Sequence, residues 1–156
     1  VTEQEPRWLD AAEMKAWRNY AIGAAMLADR LHRELQDNHD ISLADYQVLV
    51  RLSEHRGLRM RMSQLAEEVA SSKSRVSHQV ARMERVGLVR RRECPEDGRG
   101  VFAELTDKGM ETLRTSAPTH VEGVREHMVD LLTRSEQEVL ARVFDRVITH
   151  LRGRDG

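Results

Sequence analysis

The sequence predicts a mainly α fold with a small β-hairpin wing, a winged helix-turn-helix flanked by long N- and C-terminal helices. Three observations lead there. Apolar residues recur at helical spacing through nearly the whole chain. One short β-prone stretch, broken by a Pro/Asp/Gly loop, lies past its middle. Nine Gly and three Pro in 156 residues are too few for a Gly/Pro-rich sandwich or a disordered linker. The length fits one domain. A single Cys excludes a disulfide framework and a Cys-based zinc finger, and suits a reducing compartment. No apolar run approaches the roughly 18–20 residues of a membrane span. The polar, acidic start Val1–Pro6 reads as neither a signal nor a transit peptide. A cytoplasmic protein without a membrane partner is expected.

The first helix runs from Trp8 to about Leu35, with Met14, Trp17, Ala21, Ala25, Ala28, Leu31 and Leu35 at helical spacing. At 1.5 Å per residue it is roughly 40 Å long and overhangs a small domain. Ser42 then caps a helix with Asp45 in its first turn and Tyr46, Val48, Leu49 and Leu52 on its apolar side, ended by Gly57. Ser63 is read as the cap of a short segment to Ala70. After Ser71-Ser72 a second short helix carries Val76, Val80 and Met83 on one face and stops at Gly87. Leu88–Glu93 and Val101–Leu105 form the hairpin around the loop Cys94–Gly100. Thr106-Asp107 caps a long helix that Pro118 is expected to kink or break near Ala117. Ser135 and Glu138 match a capping box before a last helix carrying Leu140, Val143, Val147 and Leu151.

The net charge of −1 speaks against a nucleic-acid partner only until it is divided along the chain. Between Arg56 and Gly100 eleven basic residues face six acids, a local charge of +5 that leaves −6 for the remainder. Within this basic window, Arg75, His78 and Arg82 fall on the side of the second short helix opposite Val76, Val80 and Met83. Arg can bond guanine O6 and N7 together, Gln can pair with adenine, and Ser can serve bases or phosphates. The first turn, Ser72-Lys73-Ser74-Arg75, directs helix N–H groups toward phosphate. At the hairpin tip, Arg99 suits a narrow minor groove and Asp97 can hold its guanidinium. The candidate DNA-binding residues are therefore Ser72, Lys73, Ser74, Arg75, Ser77, His78, Gln79, Arg82, Asp97 and Arg99. The terminal helices carry apolar stripes longer than one small domain buries, so pairing across a two-fold axis is expected.

The run Lys73–Arg91, with Met83-Glu84-Arg85-Val86-Gly87-Leu88-Val89 inside it, the wing Pro95–Arg99 and the exit Leu105-Thr106-Asp107-Lys108-Gly109 together resemble the MarR family of bacterial transcription regulators. The resemblance covers essentially the whole chain. It implies a homodimer on double-stranded DNA, nucleoid-associated when bound, with repression as the default. One unit spans 1–156: dimerisation helices at 8–38 and 107–152, and a DNA-binding part at 42–105. The recognition helix would be about 74–86, the wing about 88–105 and the wing arginine Arg99. Gly98 stands where the family often has a bulkier residue after the wing Asp, which loosens the tip. The family also implies a cleft for a small aromatic or anionic effector, with Trp17, Tyr20 and Tyr46 as candidate lining residues. Gln47 follows Tyr46 where urate-responsive members tend to have an acid, so urate is not implied.

Other classes fare worse. No Gly-rich phosphate loop, Gly-x-Ser-x-Gly or His-Glu-x-x-His occurs, so no enzyme, catalytic residue or cofactor is expected. No two of the seven His have the i, i+4 spacing of a helical metal site, and His120 and His127, two turns apart, make zinc sensing the weaker reading. Cys94 lies in the wing rather than in the N-terminal helical region where the family's peroxide sensors keep theirs, so a redox-responsive variant is also weaker. An interaction dimer without DNA binding would have neutralised Arg75, Arg82 and Arg99, which remain basic.

Overall fold

A computed structural model describes residues 5–94, 96 and 100–154. The chain is mainly helical. Helix α1 (Ala11–His39) leads to α2 (Leu43–Glu54), strand β1 (Arg59–Arg61), α3 (Met62–Glu68), α4 (Lys73–Arg85), strands β2 (Val89–Glu93) and β3 (Val101–Leu105), α5 (Asp107–His127) and α6 (Arg134–Arg152). Two short 3₁₀ turns, Arg56–Leu58 and Val129–Leu131, follow α2 and α5.

Several caps are local sequence effects. Ser42 Oγ accepts from Asp45 N at 3.0 Å, Ser72 Oγ from Arg75 N at 3.2 Å and Thr106 Oγ1 from Gly109 N at 3.0 Å, each satisfying an orphan amide of a first turn. Gly87, at φ +83°, turns the chain from α4 into the wing, a conformation that favours glycine.

Five expectations need correction. Helix α1 starts at Ala11, not Trp8, because Asp10 and Glu13 form a capping box there, and it continues to His39. Helix α2 ends at Glu54, before Gly57, which instead supplies the positive φ of the following turn. Ser63 is no cap: α3 begins at Met62, and Arg61 in the cap position makes no side-chain cap bond. The capping box of α6 is Thr133 with Glu136 rather than Ser135 with Glu138; the same Ser/Thr-x-x-Glu pattern occurs two residues earlier. Pro118 does not break the helix near Ala117, since α5 runs through it with Leu113 and Ser116 buried before it and Gly123 buried after it. Packing on both sides outweighs the single ladder bond that proline removes.

The expected hairpin is part of a three-stranded antiparallel sheet of order β1-β3-β2, with Arg59 opposite Glu104 and Arg90 opposite the same Glu104. Its inner face, with Met60, Ala103, Leu105 and Val89, joins one core with Leu35, Leu49, Leu52, Leu65, Val76, Val80 and Met83. That core fixes α4 against the sheet. Helix α6, by contrast, buries none of its residues within the chain. Among the described residues no helix is long and apolar enough to cross a membrane.

Candidate nucleic-acid interface

Helix α4 is amphipathic in the sense that matters for docking in a groove. Val76, Val80 and Met83 are fully buried, which locks the helix rotation. Lys73, Ser74, Arg75, Ser77 and His78 are exposed on the other side, and exposed Ser72 caps the helix. Further along, Gln79 is half-buried and Arg82 exposed, yet neither stands alone. Gln79 Nε2 and Arg82 Nη2 both donate to Asp45 Oδ1, at 2.9 and 3.0 Å. The C-terminal end of α4 is tied to the wing: the Glu84 carboxylate accepts from Arg91 N at 2.7 Å and from Arg91 Nε at 3.0 Å. The hydrogen bond from the Arg91 amide, joined by that of its guanidinium, holds the Glu84 carboxyl below the usual carboxylate range.

The outer face of the sheet is strongly basic. Arg59 and Arg61 stack on the Phe102 ring at 4.9 and 5.6 Å, and Arg90 and Arg92 share the single carboxylate of Glu104 at 3.5 and 3.4 Å. The expected tip residues Asp97 and Arg99 lie outside the described residues. At the base of the loop, Cys94 N donates to Gly100 O at 2.7 Å, and Cys94 is buried with Arg61 Nη2 3.4 Å from its Sγ.

The candidate effector residues are not gathered in one place. Trp17 and Tyr20 stand on α1, 56% and 47% exposed, with Tyr20 5.1 Å from the Phe144 ring of α6. Tyr46 is buried on α2, its ring 4.5 Å from that of His120 on α5. Those two rings line a cavity of about 350 Å³ together with Gln47, Arg51, Glu68 and Val69; Trp17 and Tyr20 do not reach it. His120 Nδ1 is buried without a hydrogen-bond partner among the described residues, and burial pushes the imidazole pKa down, against a smaller opposing pull from the Glu34 charge. Burial likewise raises the Tyr46 phenol.

The second candidate metal histidine, His127, bonds Glu34 Oε1 at 2.7 Å; Arg30 holds the same oxygen at 2.7 Å, and the two together depress the Glu34 carboxyl, His127 contributing most. Among the described residues no group of three or more His, Cys, Asp or Glu is placed to hold a metal ion.

Sequence reasoning missed Asp45 as a partner of α4, Glu84 as the tie to the wing, and β1 with its two arginines. Only the last left a local trace, the Arg-Met-Arg alternation whose middle residue is buried.

Comparison with known proteins gives one answer. The family model described as "MarR family" matches residues 39–100. The chain is 45% identical to AbsC, a MarR family transcriptional regulator from Streptomyces coelicolor. The alignment covers 95% of this chain and 99% of AbsC, with a TM-score of 0.90. Sco3205, a MarR family transcriptional regulator of the same organism solved in complex with DNA, is also 45% identical. Coverage is 93% of this chain and 91% of Sco3205, with a TM-score of 0.88. The transcriptional regulator MhqR of Bacillus subtilis is 25% identical over 129 residues, 78% of this chain and 87% of MhqR.

Proposed function

This chain belongs to the MarR family and is a DNA-binding transcription regulator rather than an enzyme, and from that premise we propose that it acts as a homodimer on a near-palindromic operator, as a ligand-responsive repressor. The observation that carries the reading is α4: a helix locked by three fully buried apolar residues presents Ser74, Arg75, Ser77 and His78 outward. Arg75 and His78 serve base edges, and Ser72, Lys73, Ser74 and Ser77 serve phosphates or bases. Gln79 and Arg82 join them only by leaving Asp45. Arg99, with Asp97, enters the flanking minor groove.

Residues 42–105 form the DNA-binding part, and 8–38 and 107–152 pair the two copies. Support for pairing comes from exposed Trp8, Leu9, Ile22 and Met26 near α1 and on it, and from Val147, Ile148 and Leu151 on α6. Large apolar side chains left exposed on two helices in this way mark a surface that a partner covers. Two-fold pairing of this kind sets the two α4 helices roughly 34 Å apart, on successive major grooves. The effector site is the cavity beside Tyr46 and His120, where an aromatic acid would stack on the rings and accept from an imidazole N–H. Trp17 and Tyr20 then belong to the pairing surface.

Band-shift titrations on a duplex from the chain's own promoter region, run across a salt series, test the reading. Log affinity should fall steeply with log salt, by about 0.9 per phosphate contacted. Arg75→Ala should cost about 1–3 kcal/mol on this duplex and relax preference at one base pair. Arg99→Ala should reduce the salt slope by about one. Unchanged binding in Arg75→Ala, His78→Ala and Arg99→Ala alike would overturn the assignment.

A further inference from the structure

The polar side of α4 is divided between two conditions. Its first two turns leave Arg75 and His78 open to solvent, whereas Gln79 and Arg82, three residues apart and so on one face, converge on one oxygen, Oδ1 of Asp45. The acceptor is well fixed. Asp45 lies in the first turn of α2, its amide is held by Ser42 Oγ, and its neighbour Tyr46 is buried. Its carboxylate is only 15% exposed, while the Arg82 side chain remains 54% exposed. One part-buried acid on a different helix thus holds two groups that lie at the edge of the reading surface.

Those two side chains are of special consequence. Arg and Gln are the side chains that pair in bidentate fashion with guanine and adenine. A long, mobile cation at a DNA surface also finds phosphates in any sequence, raising affinity without discrimination. We propose that Asp45 is a specificity-determining residue of the DNA interaction. It withholds Arg82 and Gln79 from the duplex, confines base reading to the N-terminal half of α4, and cancels a charge that would otherwise strengthen binding to every sequence. The inference rests on the reading of α4 as the DNA-contacting helix.

The test uses the full chain, the promoter duplex and a scrambled duplex of equal length, each titrated across salt. Asp45→Asn, Arg82→Ala, their double variant and Arg75→Ala are compared, with melting temperatures recorded. Asp45→Asn should bind the scrambled duplex several-fold more tightly, with a salt slope larger by about 0.9, so that discrimination falls. That gain should vanish in the double variant, because it acts through Arg82. Arg82→Ala alone should leave promoter binding within about twofold, whereas Arg75→Ala loses about tenfold or more, the worth of one bidentate contact.

An Asp45→Asn gain that persists without Arg82 would mean that the lost carboxylate acts merely by its field, and the proposal falls. It falls equally if Asp45→Asn leaves scrambled binding unchanged or weaker, or if Arg82→Ala costs as much as Arg75→Ala; this last comparison stands even if Asp45→Asn fails to fold. Silence of Arg75→Ala and His78→Ala would instead overturn the reading of α4 itself.

Discussion

Gly109 is where the wing meets α5, and adding one methyl group there tests the packing of the whole DNA-binding part. It sits in the first turn of α5, its amide held by Thr106 Oγ1. A Cβ at this position would overlap the carbonyl oxygen of Leu88, and would lie 2.7 Å from Leu105 Cδ1 and 3.1 Å from the Leu88 carbonyl carbon. Two of those three atoms are backbone, so no side-chain rotation relieves the clash. The start of α5 must withdraw from Leu88 by more than about 1 Å to restore ordinary contact. That movement stretches the bonds from Thr106 Oγ1 to Gly87 O and Leu88 O, 2.6 and 3.0 Å, and from Lys108 Nζ to Val86 O, 2.6 Å. Overpacking of this kind costs about 3 kcal/mol at the upper end of its usual range, and alanine returns about 1 kcal/mol through helix propensity. Gly109→Ala should therefore lose about 2 kcal/mol, a fall in Tm of about 4–8 °C for a chain of this length. Thermal unfolding followed by circular dichroism at one fixed protein concentration measures it, the fixed concentration keeping the mass-action contribution of self-association the same for parent and variant. A Tm equal to or above that of the parent would refute the reasoning, since propensity alone would then have decided the outcome.

Two further substitutions probe titrating groups. Burial lowers the His120 pKa, so the folded chain keeps this ring neutral while the unfolded chain takes up a proton as pH falls below about 6.5. Its contribution is unaffected above that pH and turns against folding below it. His120→Phe keeps the stack on Tyr46 and should flatten the acid decline in denaturant midpoint between about pH 7 and about pH 5; an unchanged slope contradicts this. Glu84→Gln removes the charge that accepts from Arg91 and should cost about 1 kcal/mol at neutral pH. Because the Glu84 carboxyl titrates below its ordinary range, its stabilisation is present above that range and lost as pH falls through the folded value. The deficit of Glu84→Gln should accordingly close in acid, and a deficit that persists there excludes the charge as its source.

What could be read in the sequence was local or periodic. Val76, Val80 and Met83 announced the buried face of α4, and Ser42 and Thr106 announced two helix starts, because each signal acts within one or two turns. Where two overlapping patterns competed, as with Thr133-x-x-Glu136 and Ser135-x-x-Glu138, the sequence held no means of choosing. Strand β1 is three residues long and owes its existence to pairing with β3, more than forty residues away. The tie from Asp45 to Gln79 and Arg82 spans 34 and 37 positions, and no periodicity links an acid in one helix to the polar face of another. Pro118 misled for a related reason: intrinsic propensity weighs one lost hydrogen bond, whereas the buried residues on either side weigh the packing of the entire helix.

These ties limit how DNA binding can be controlled. Helix α4 is held at its middle by Asp45 on α2 and near its end by Glu84 to Arg91 on β2, with Leu88 N donating to Met83 O at 3.0 Å in the connecting turn. The start of α5 is held in turn by Thr106 on the carbonyls of Gly87 and Leu88 and by Lys108 on that of Val86. Turning α4 alone would break charged contacts on two sides and expose Val76 and Val80, a cost of several kcal/mol. Moving α2, the wing, α4 and the first turns of α5 together breaks none of them. Helix α5 carries such a movement about 30 Å along its 21 residues to the seam with α1. There His39 meets Thr119 at 2.7 Å and His127 meets Glu34 at 2.7 Å, through polar groups that are only part-buried. The cheaper rearrangement therefore changes where the reading helix is placed and leaves its shape intact, and the contacts of α1 with α5 and with α2, where Leu43 N donates to His32 Nδ1 at 3.2 Å, are where that placement is set.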